Sequence, residues 1–188
     1  GATWNVVNTS NEGTNLLDIC GLGSWQGSYG FGVLRTSVAA PDYMYISLTV
    51  LAPSGVIGKI YRFETNNPNG SFTYIHDAVA GPGTPNEGPS PAHSHSLVLS
   101  PFLYNGWPLM YQGDVEMARI EFNGTSYAQI NTDSPIRHDA RYSLFEPGTW
   151  TESNYTLWTT WDGGLWKRTG GRTNPTWADK NSGLGVAA

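Results

Sequence analysis

From Tyr43 to Leu51 the chain alternates with a period of two residues, Met44, Ile46, Leu48 and Val50 on one face and Tyr45, Ser47 and Thr49 on the other. Such alternation is the mark of a half-buried β-strand. Turn signals punctuate the chain beyond it: Pro53-Ser54-Gly55, then Asn66 to Gly70, then Asn123-Gly124 and Asp162-Gly163. Between them, strands are predicted at 56–63, 71–75, 155–161 and 164–167, with a short buried strand at Leu16–Cys20. Tyr111 to Phe122 reads as one long extended segment. Its apolar phase switches between Val115/Met117 and Ile120/Phe122, which predicts a β-bulge near Ala118. Gly and Pro collect at 81–91, predicting an exposed loop, and no stretch carries capped helical periodicity. About ten short strands at this spacing predict one all-β domain over residues 1–188, an antiparallel β-sandwich or jelly roll of two packed sheets with little or no helix.

Composition narrows the class. Charged residues make up 13% of the chain, and 23 Gly, 12 Pro, 10 Tyr and 8 Trp accompany them. Mean hydropathy is −0.33. Aromatic richness at low charge separates this chain from a disordered one. Net charge is −5 and no Lys/Arg cluster occurs, so neither nucleic acid nor an anionic membrane is an expected partner. No apolar run has the length of a membrane span, so no membrane insertion is expected. Cys20 is the one cysteine, which excludes an intrachain disulfide and reads as a small buried hydrophobe. The start at Gly1 suggests a processed chain or a piece of a longer one.

Two local patterns bear on chemistry. His93-Ser94-His95 would put two imidazoles on one face of a strand, where they chelate a metal ion, with His138 as a third ligand; exposed loop histidines are the plainer alternative. With Gly88 ahead of it, the pair resembles the first cupin motif, although Leu97, Val98 and Leu99 stand where that motif has its Glu. It is also similar to the His-x-His elements of phage fibre and spike tips, where three chains share one metal. Otherwise no cofactor is expected. Asp114 and Glu116 would share a strand face about 7 Å apart, between the separations of retaining and inverting glycosidases. They resemble the carboxylate strand of jelly-roll glucanases, which implies a polysaccharide hydrolase or lyase; solvent-facing acids are the alternative.

The C-terminal third holds Trp150, Trp158, Trp161, Trp166 and Trp177. Tryptophan packs cores, anchors subunit interfaces and stacks on sugar rings, and the pattern leaves all three open. The candidate ligand platform is Trp150, Trp161, Trp166 and Trp177, with Arg168 and Arg172 as hydrogen-bond donors. In its short Gly-punctuated strands, abundant Tyr and Trp, few Lys and single Cys, the whole chain resembles the receptor-binding heads of bacteriophage tail fibres and tailspikes. That resemblance implies a homotrimeric head, exposed on a virion or outside cells, which binds a surface glycan or receptor without catalysis.

Overall fold

Alternation and turn punctuation fold into antiparallel meanders. The computed structural model describes residues 10–11, 14–15, 30–52, 55–67, 72–77, 96–113, 117–131, 142–161 and 164–182. Strands β1 (Ser10–Asn11) and β2 (Thr14–Asn15) form a two-stranded ribbon. The first four-stranded sheet holds β3 (Gly30–Ser37), β4 (Ala40–Ala52), β5 (Gly55–Glu64) and β6 (Thr73–Asp77). The middle sheet holds β7 (Ser96–Tyr104), β8 (Trp107–Gly113), β9 (Met117–Phe122) and β10 (Tyr127–Asn131). The third holds β11 (Tyr142–Phe145), β12 (Leu157–Trp161), β13 (Gly164–Thr169) and β14 (Thr176–Asp179). Spatial order follows chain order in each sheet, so these are meanders and not the crossed Greek keys of a jelly roll. The chain is all-β, with no helix among the described residues.

Two packed sheets were expected; among the described residues, three four-stranded sheets stack through two cores. Tyr45, Ile60 and Ile75 of the first sheet pack against Leu97, Leu99, Met110, Ala118 and Ile120 of the middle one. From the opposite face of the middle sheet, Phe102, Leu109, Tyr111 and Met117 pack against Tyr155, Leu157 and Trp161. On β8 the switch is residue by residue: Met110 enters one core, Leu109 and Tyr111 the other. At the seam with the first sheet, Arg35 Nε donates to Leu97 O at 3.0 Å and Ser37 Oγ to Ser100 O at 2.6 Å, binding β3 to β7.

One sequence expectation changes. Tyr111 to Phe122 is not one bulged strand: β8 ends at Gly113, β9 starts at Met117, and these two residues pair as the end of a hairpin. The change of apolar phase is therefore a change of strand. Among the described side chains of β4, Tyr45 and Ser47 are fully buried, while Met44 and Ile46 are half-buried. The half-buried strand thus puts the face with Tyr45 toward the core between the sheets, because Tyr45 carries a large ring there. The strand expected at Leu16–Cys20 and the loop at 81–91 lie outside the described residues.

Burying a large apolar side chain in these cores contributes about 1.5–3 kcal/mol, and deleting one also leaves a cavity. Ile120→Ala, at a side chain with 0% exposure, is expected to cost about 2–5 kcal/mol in urea denaturation. Val38→Ala, at 83% exposure, should stay within about 0.5 kcal/mol of the parent.

Candidate binding cleft

Beside the core, the first and middle sheets leave a cleft of about 620 Å³ where their edge strands β6 and β10 run close together. Its first wall carries Arg62, Thr73, Tyr74, Ile75 and His76, and its second Trp107, Phe122, Thr125, Ser126 and Tyr127. Volume and lining match small-ligand sites, which pair aromatic walls with a few placed polar groups.

Local sequence sets each wall. β7 and β8 are joined by Asn105-Gly106, whose φ values of 49° and 85° meet the requirement of a type I′ hairpin turn. Tyr104 then pairs with Trp107, and Asn105 Nδ2 donates to Phe122 O at 2.9 Å, tying this turn to β9. The β9–β10 loop is closed by the Asn123 side chain: its Oδ1 accepts from Thr125 N at 2.9 Å and Ser126 N at 3.0 Å. Phe122 pairs with Tyr127 across the strands, with ring centroids 5.2 Å apart. On the facing wall, a register shift between Ile60 and Tyr61 lets Ile75 enter the core. Tyr74 remains 50% exposed, its ring edge-on to Tyr61 at 5.9 Å.

Arg62 joins the two walls. Its guanidinium lies 3.6 Å from the Trp107 ring centroid and 4.9 Å from that of Tyr43, and those rings meet edge to face at 5.1 Å. Nη1 donates to Tyr127 Oη at 3.3 Å. Burial, followed by the neighbouring Tyr45, pushes the Tyr127 hydroxyl well above the usual tyrosine range; burial also raises that of Tyr45. Both remain neutral phenols at physiological pH.

The C-terminal aromatics sit elsewhere. Trp161, Trp166 and Trp177 line the inner face of the third sheet, with Trp161 centred 6.0 Å from Trp166 and 5.4 Å from Trp177. Trp161 is 5% exposed and packs in the second core, while Trp166 and Trp177 are half-buried against it. Trp150 is also half-buried, and its indole N–H donates to Glu146 O. Arg172 pairs with Glu121 at 3.1 Å and with Glu152 at 3.9 Å, its guanidinium 4.2 Å from the Tyr104 ring centroid. Of the platform expected from sequence, the structure thus brings three tryptophans together but turns them inward, and it ties Arg172 into an ion network. His93, His95, His138, Asp114 and Glu116 lie outside the described residues. Trp107, Arg62, Tyr74 and Tyr127 were missed. The one legible signal was Asn105-Gly106, a hairpin dipeptide that delivers Trp107.

Arg168 has 0% exposure, and none of its guanidinium nitrogens has a hydrogen-bond partner among the described residues. The rings of Tyr155 and Tyr111 lie 5.0 and 5.4 Å from its Cζ. Two such contacts return about 1–4 kcal/mol, against several for desolvating a charge. Arg168→Met keeps similar bulk and removes the charge. It should raise stability by about 1–4 kcal/mol in urea denaturation; a clear loss would show that the guanidinium gains more from its surroundings than its desolvation costs.

Compared with known proteins, the chain matches no family model, no curated protein and no solved structure.

Proposed function

We propose that the chain is a glycan-binding head that seats a sugar in the β6/β10 cleft and works by binding, without catalysis. The observation that carries this reading is the lining of the cleft: aromatic rings of Trp107, Tyr74, Phe122 and Tyr127 beside hydroxyls of Thr73, Thr125 and Ser126. Sugar rings offer an apolar face that stacks on aromatic side chains and a rim of hydroxyls that needs donors and acceptors. Short turns and cross-strand pairs hold both walls, so little ordering entropy is lost on binding.

The same reading makes the chain the head of a virion fibre or spike, assembled as a homotrimer. Its support is compositional: low charge, Gly-punctuated strands and many aromatics, folded into stacked antiparallel sheets. A shallow sugar site binds weakly as a single copy, and three copies on one tip raise avidity without new contacts. Sedimentation analysis of the intact chain is expected to give three copies per particle. A monomer would remove the fibre assembly and leave the sugar site standing.

Tyr74→Ala and Trp107→Ala test the cleft. Each should weaken binding on a glycan array by roughly tenfold, the value of one lost aromatic contact of ~1.4 kcal/mol. Tyr74→Ala should leave the melting temperature nearly unchanged, since Tyr74 is half exposed. Undiminished glycan binding by both variants would remove the cleft from consideration.

A further inference from the structure

The walls of the cleft carry a charge bias that the chain as a whole does not. The sequence has 15 Asp and Glu against 10 Lys and Arg. Yet the described lining residues include the Arg62 guanidinium and no carboxylate. Among the described residues Arg62 also has no ion-pair partner, although Glu64 stands two positions along the same strand. A cation with no ion-pair partner among the described residues, facing a ligand-sized space, offers a counter-charge to an anionic ligand.

We infer that the sugar held in this cleft is an acidic one, a glycan residue whose carboxylate is taken by Arg62. This rests on the glycan-binding reading above and adds the class of ligand. The guanidinium is already oriented: Trp107 at 3.6 Å and Tyr43 at 4.9 Å fix its position, and Nη1 is steadied on Tyr127 Oη. A guanidinium carries five N–H donors in a planar fork that matches a carboxylate bidentately, so one bond to Tyr127 leaves a fork for the ligand. Tyr127 stays a neutral phenol and presents no charge to repel an anion. The aromatic surface of Tyr74 and Phe122 takes the apolar face of the ring, and the Thr73, Thr125 and Ser126 hydroxyls meet its hydroxyl rim.

The test uses the intact chain on an array of paired neutral and acidic glycans. The strongest ligand is then titrated calorimetrically beside its carboxyl-reduced derivative, which keeps the ring and loses the charge. Uronic- or sialic-acid glycans are expected to dominate, and carboxyl reduction should weaken binding by about tenfold or more. Arg62→Gln should erase the difference between the two ligands, and Arg62→Lys should keep part of it, since the charge remains and the fork is lost. The ligand-side comparison does not depend on whether an Arg62 variant folds. Neutral glycans bound as well as acidic ones, or no loss on carboxyl reduction, would overturn the acidic-sugar inference and leave glycan binding intact. No binding to any glycan would overturn both.

Discussion

A sheet with both faces buried has nowhere to put a polar side chain except against another polar group. The middle sheet is in this position, and the rest of the structure is arranged around it. Arg119 and Glu121 on β9 are 5% and 6% exposed. They pair at 3.0 Å, Arg119 Nη1 donates to Arg172 O at 2.7 Å, and Arg172 closes on Glu121 at 3.1 Å. This network compensates charges that would otherwise be desolvated alone, and it binds the turn after β13 to the middle sheet. Ser100 does the same for β7: its hydroxyl donates to Phe102 O at 2.6 Å and accepts from Leu109 N at 2.8 Å where the strand register shifts.

Covering two faces takes two further sheets, and this accounts for the aromatic content of the C-terminal third. Phe102, Phe145, Tyr111 and Tyr155 meet between the middle and third sheets, with Tyr155 centred 5.2 Å from Phe102 and 5.6 Å from Phe145. Large rings fill the space with few rotatable bonds, which favours a single packed arrangement. Trp158 points off the other face of β12, where Lys167 lies 4.9 Å from its ring centroid and bridges to Glu146 at 3.1 Å. One strand thus spends its inward tryptophan, Trp161, on the core and its outward one on a surface contact.

The cleft is a product of the same stacking. The first and middle sheets are held by buried contacts along their length, and their free edges β6 and β10 remain as the walls of an open space. Edge strands invite pairing with other chains; here they are short, five residues each, and carry Thr73, Tyr74 and Gln129 among their side chains. Arg62 spans the gap without filling it. Short turns and cross-strand pairs set both walls, so the proposed sugar contact would cost little ordering entropy.

The antiparallel β class was legible from the alternation at Tyr43–Leu51 together with the closely spaced turn signals, since both are local properties of the chain. So were the hairpins at Asn123-Gly124 and Asp162-Gly163, whose residue types specify turns without help from distant chain. Which side of a strand meets a core is not local. Tyr45 and Trp161 are written in the sequence like surface aromatics, and each is buried because a sheet from elsewhere in the chain lies against it. The cleft has the same character: Arg62 and Tyr127 are 65 positions apart. Sequence therefore determined the all-β class, several of the strands and turns, and the aromatic, weakly charged chemistry. Tertiary structure decided which aromatics became core and which were left lining the cleft, because burial depends on contacts between segments that no local pattern encodes.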